Sequence, residues 1–108
     1  MTEFPDLTEA FTLSEALAMA EAIDSVRAER LNQQTKWGQQ NHTDDHWTAI
    51  LSEEVGEAAH EVLEGDNKLL REELIQVAAV AVAWIEAIDR RREWIGPQTG
   101  RFSCSEPH

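Results

Sequence analysis

The segment Glu53-Glu54-Val55-Gly56-Glu57 carries three carboxylates, and a fourth, Glu73, projects from a run that is otherwise largely apolar. If both segments are helical, Glu54 and Glu57 lie on one face about 5–6 Å apart, the spacing of i and i+3 neighbours. Gathered carboxylate oxygens suit hard divalent cations. Mg²⁺ takes oxygen ligands at about 2.0–2.1 Å, keeps several waters, and divides its other positions between a few carboxylates and substrate phosphates. Two such ions about 3.5–4 Å apart clamp a phosphoryl centre and acidify an attacking water, and Mn²⁺ can take their place. The plain alternative is a solvated helix face, since such faces are common in acidic proteins. Glu73 weighs against it. On a helical wheel it stands among Val77, Val80 and Trp84, where an unpartnered carboxylate is costly to bury. It must be protonated, bound to a cation, or paired with a basic side chain such as Arg27 or Arg30.

Three helices must position these groups. Thr12 and Glu15 have capping-box spacing, which starts a first helix running from about Leu13 to Lys36 and ending at Trp37-Gly38. A polar loop, 39–45, leads to a second helix beginning near His46 with Asp44 or Asp45 as its cap and ending at Glu64-Gly65. There Leu51, Val55, Ala58, Ala59 and Val62 form one face, and Glu53, Glu54, Glu57, Glu61 and Glu64 share a flank. Asp66 or Asn67 caps a third helix that reaches Arg92 or beyond, before Gly96-Pro97. The short connection makes the second and third helices antiparallel neighbours and sets Glu73 opposite Glu54 and Glu57.

No alternating run flanked by hairpin turn residues is present, so the fold class is all-α. The expected architecture is an antiparallel helical bundle of three main helices, a single domain over 1–95 with a flexible tail over 96–108. From Leu74 to Ile88 the third helix is apolar almost all round. A helix of that kind is buried all round, which calls for a partner chain and predicts a homodimer or higher homo-oligomer.

The chain has 108 residues and a formal net charge of −12, half of which falls between Glu53 and Glu73. Such acidity excludes direct binding to DNA, RNA or an anionic membrane, all of which select basic surfaces. A phosphate ligand would need cations in between. Cys104 is the only cysteine, which excludes an internal disulfide, and no segment reads as a secretory leader or a membrane span of about 20 residues. A soluble, cytoplasmic protein is expected.

The order Glu53-Glu54-Val55-Gly56-Glu57, then Glu73-Leu74-Ile75-Gln76, resembles the MazG-like superfamily of all-α nucleoside triphosphate pyrophosphohydrolases, whose motif is EExxE followed by ExxD. The resemblance covers about Lys36 to Arg92. It implies a helical bundle, dimeric or larger, that uses Mg²⁺ to cleave a (d)NTP to the monophosphate and pyrophosphate. Carried over, Glu54, Glu57 and Glu73 would be metal ligands with Glu53 beside them, Glu54 and Glu57 would form the catalytic pair, and Glu57 would orient or deprotonate the attacking water. The final Asp of the motif falls at Gln76, which offers a carbonyl oxygen without charge. That departure leaves three readings: fewer metals with activity kept, a ligand from elsewhere such as Glu72 or Glu61, or a catalytically silent protein that binds nucleotide or serves as a dimeric interaction module. Hydrolysis of a phosphoribosyl-nucleotide is a related enzymatic reading.

Other residues invite weaker readings. Lys36 could meet a phosphate, and Trp37 or Asn41 a base; the alternative is a loop anchored by a buried Trp. His42 and His46 stand at i,i+4, the spacing of a zinc pair, without a third soft ligand nearby. Arg90, Arg91 and Arg92 suit the negative end of a helix dipole, with contact to a triphosphate as their functional reading.

Overall fold

The structure, a computed structural model, describes residues 11–95. The expected tail over 96–108 lies outside them. Three helices make up the fold: α1 (Leu13–Trp37), α2 (Asp44–Glu64) and α3 (Asn67–Ile95), with no strand among the described residues.

Each helix starts where side chains satisfy the first free N–H groups. At α1 the Thr12 hydroxyl accepts from the Glu15 N–H at 3.1 Å and the Glu15 carboxylate accepts from the Thr12 N–H at 2.9 Å, a complete capping box. α2 is capped by Thr43, whose hydroxyl accepts from the His46 N–H at 3.3 Å. The helix therefore begins at Asp44, one or two residues earlier than a cap at Asp44 or Asp45 would give. This matters for packing, because it frees the Asp44 carboxylate to reach α3. Asp66 Oδ1 accepts from the Leu69 N–H at 2.9 Å at the start of α3. Gly65 ends α2 in the left-handed conformation, φ 76°, which lets the chain reverse within two residues.

α3 is the central element: α1 and α2 both pack on it, and their backbones do not approach one another. Hydrogen bonds set the directions. Along α2 and α3, Asp44 meets Trp84 and Arg91, while Glu54 and Glu57 meet Glu73; the pair is antiparallel. Along α1 and α3, Arg71 donates to Ser25 and Gln33 donates to Gln76, so these two run the same way.

The core lies between α2 and α3. Trp47, only 2% exposed, packs on Val80, Ala83 and Ala87, with Ile50, Leu51 and Trp84 around it. Its ring lies parallel to that of Trp84, centroids 6.4 Å apart. Burying a tryptophan removes about 150–250 Å² from water, worth about 4–6 kcal/mol at 25 cal/mol/Å².

Within one chain α3 is not buried all round, as expected of three helices alone. At 100° per residue, Leu74, Ala78, Ala81 and Ile85 form one stripe, directed away from the residues that meet α1 and α2. Leu74 is 52% exposed and Ile85 56%. Two neighbours cover two sides of a helix, and the third side stays open.

Candidate functional site

Glu54 and Glu57 reach from α2, and Glu73 from α3, so that one oxygen of each lies within 4.8 Å of the others. The backbone explains the convergence. Glu54 and Glu57 are one turn apart on the flank of α2 beside its apolar face, and the two-residue turn at Gly65-Asp66 fixes the register that brings Glu73 opposite. Glu54 and Glu73 are partly buried and Glu57 is exposed.

The electrostatics are those of like charges brought together. Burial, followed by the charges of Glu57, Glu73, Glu53 and Glu29, raises the Glu54 carboxyl above the ordinary range. Glu73 is raised by burial first, then by the charge of Glu57 and a hydrogen bond with it, then by Glu61 and Glu72. Its Oε1 is buried and accepts no hydrogen bond. Neither arginine considered for a salt bridge supplies one: Arg27 pairs with Asp24, and Arg30 with Glu86, Nη2 to Oε1 at 2.7 Å.

These residues could hold a divalent cation. Oxygens that share a Mg²⁺ ion lie about 3 Å apart when adjacent and about 4.2 Å apart when opposite. Three oxygens within 4.8 Å of one another would close on an ion by rotation of their side chains. Such an ion would also give Glu73 Oε1 the partner it lacks.

The remaining expected ligands stand differently. Glu53 is exposed and outside the converging trio, although its charge reaches Glu54. Gln76 is partly buried, and its Oε1 accepts from Gln33 Nε2 at 3.3 Å. The oxygen expected to face a metal is thus engaged by α1.

The expected base and phosphate contacts are not gathered at this site. Trp37 is 57% exposed at the end of α1, not a buried loop anchor, and the Lys36 ammonium lies 5.1 Å from its ring centroid. Asn41 Oδ1 accepts from Arg90 Nε and Nη2 at 3.1 and 2.9 Å, and Arg90 also donates to the Gln40 carbonyl. Arg91 pairs with Asp44 at 3.2 Å. These arginines fasten the 38–43 loop and the start of α2 onto α3. His42 and His46 stack with centroids 4.3 Å apart and planes 9° from parallel. Among the described residues no third metal-binding side chain joins them.

Two residues on α1 escaped the sequence reading. Gln33, 7% exposed, is a buried polar group on a helix whose pattern is only weakly amphipathic. Glu29 stands one turn before it and lines a groove of about 480 Å³ with Ser25, Ala28, Glu72, Ile75 and Gln76. Their signal was the i,i+4 spacing of two polar residues on the side of α1 opposite Leu13, Leu17 and Leu31.

No protein-family model, no curated protein and no solved structure matches the chain.

Proposed function

We propose that this protein is a Mg²⁺-dependent nucleotide pyrophosphohydrolase of the MazG-like kind, converting a (d)NTP to the monophosphate and pyrophosphate. The observation that carries the reading is the meeting of Glu54, Glu57 and Glu73, the last of which also has one carboxylate oxygen buried without a hydrogen bond. Like charges are not gathered in this way for stability, and cations relieve them.

When bound, Mg²⁺ (or Mn²⁺) neutralises phosphate charge and lowers the pKa of a coordinated water. Glu54, Glu57 and Glu73 would hold the cation from facing helices. Glu57, the most exposed of the three, would also orient the attacking water and accept its proton as the new P–O bond forms and the bond to pyrophosphate breaks. Without the cation the strongly acidic segment 53–73 repels a triphosphate, so substrate binding and metal binding are coupled.

A second reading is favoured by one contact. With Gln76 Oε1 engaged by Gln33, the motif lacks its last anionic ligand, and the chain could be a silent nucleotide-binding or interaction protein. Incubation with each (d)NTP and Mg²⁺, followed by separation of monophosphate and pyrophosphate, decides between the two. Turnover that disappears in Glu54→Gln and Glu73→Gln supports the enzyme. No turnover with any nucleotide, or turnover indifferent to both substitutions, removes it.

Self-association belongs to the same proposal. The open stripe of α3, with the exposed Leu13, Leu17 and Leu31 of α1, is apolar surface of the kind a second copy covers. Light scattering should give a mass of at least twice 12.2 kDa; a monomer at micromolar concentration contradicts this part. No helix among the described residues is long and apolar enough to cross a membrane, and a cytoplasmic setting completes the proposal.

A further inference from the structure

α3 turns three neighbouring directions toward the two helices packed on it. At 100° per residue, Glu72 leans toward α1, Glu73 toward α2, and Gln76 lies between them at the groove floor. Residues on the two walls are fixed independently. On the α2 wall Glu54 and Glu57 meet Glu73, and the antiparallel register carries Glu54 toward the level of Gln76. On the α1 wall Gln33 bonds Gln76, and Glu29, one turn earlier, lines the same groove as Glu72 and Gln76. Glu29 is partly buried and takes part in neither the Arg27–Asp24 nor the Arg30–Glu86 ion pair. No ion pair among the described residues engages it, and its charge is felt at Glu54.

We propose that Glu29 is the anionic ligand this chain uses in place of a carboxylate at position 76: α1 closes the cation site from the side opposite α2, and the neutral Gln33–Gln76 pair spaces the floor between them. The inference rests on the cation-site reading above. It gives Gln76 a purpose, since another carboxylate beside Glu29, Glu54, Glu57, Glu72 and Glu73 would add repulsion. It also gives α1 a role in the site: a ligand drawn from α1 makes cation binding depend on the packing of α1 against α3.

The test is Mn²⁺ binding, followed by calorimetry and by loss of the free-ion paramagnetic resonance signal, in the full chain and in Glu29→Gln, Glu73→Gln, Gln76→Asp and the double variant Glu29→Gln/Gln76→Asp. Glu→Gln at a groove wall keeps size and shape, and circular dichroism checks helix content. Glu29→Gln should weaken binding about tenfold or more, because affinity at such sites follows the number of charged ligands, and the double variant should recover most of it. Glu29→Gln binding within twofold of the unsubstituted chain overturns the proposal. So does weakened binding that Gln76→Asp fails to restore, which would make Glu29 a shaping residue of α1. If Glu73→Gln weakens binding while Glu29→Gln does not, only this inference falls. If the unsubstituted chain binds no Mn²⁺, the cation-site reading falls with it.

Discussion

The two ends of the α2–α3 pair are built on opposite terms. At one end Trp47 is sealed against Val80, Ala83 and Ala87, and opposite charges meet: Asp44 accepts from Trp84 Nε1 at 3.0 Å and from Arg91, while the neutral ring nitrogens Trp47 Nε1 and His42 Nε2 are buried without hydrogen bonds. At the other end Glu54, Glu57 and Glu73 face one another with no basic partner, and one oxygen is buried without a hydrogen bond. The same two helices thus carry a region that pays for the fold and a region that the fold must tolerate. Destabilising groups held in fixed positions are a mark of sites reserved for a ligand.

Substitutions at the two ends should therefore have opposite signs. The largest effect is expected for Trp47→Ala, which should cost about 3–5 kcal/mol in urea denaturation, a large share of the 5–15 kcal/mol typical of a domain. A loss below about 1 kcal/mol would mean that the tryptophan end does not anchor the pair. Next comes Glu73→Gln. It should reduce (d)NTP turnover about a hundredfold, equivalent to about 2.7 kcal/mol of barrier, while raising the midpoint of denaturation in the presence of EDTA. A variant that loses both turnover and metal-free stability would place Glu73 with the structural groups and erase the contrast.

The pH dependence should also divide. The folded chain holds protons on Glu54 and Glu73 more tightly than the ordinary value of 4.5, so it binds more protons than the unfolded chain in the window above that value. Metal-free stability from this end therefore rises as pH falls from neutral toward that window, and the rise should vanish in Glu73→Gln. At the other end burial, then the neighbouring His46, holds His42 below 6.5. There the unfolded chain takes up the proton first, so the contribution is complete above pH 6.5 and is lost as pH falls below it. His42→Gln should remove that loss. Denaturant midpoints between pH 7.5 and 5 measure both slopes; slopes of the same sign would contradict the contrast. The smallest effect is expected for Arg91→Ala, about 0.2–1 kcal/mol, since its pair with Asp44 is solvent-accessible.

Much of this arrangement was legible in the residues. Capping residues and glycines place all three helices to within a residue or two, because Thr12, Asp66 and Gly65 act through the backbone next to them. The trio Glu54, Glu57 and Glu73 was legible for a similar reason: a short turn between two periodic helices leaves little freedom in register. The contribution of α1 was not. A loop of six residues separates it from α2, its pattern is weakly amphipathic, and its direction and face depend on Gln33, Arg30 and Ser25 meeting α3 residues more than 40 positions away. For the same reason Asn41 and Arg90 read as candidates for ligand contact, whereas across that distance they hold each other.

If the acidic end of α2–α3 is a cation site, crystals grown with Mn²⁺ should show an anomalous scattering peak within coordinating distance of Glu54, Glu57 and Glu73, absent in crystals of Glu73→Gln. No peak between those three carboxylates at millimolar Mn²⁺, or one that persists in Glu73→Gln, contradicts a cation site there.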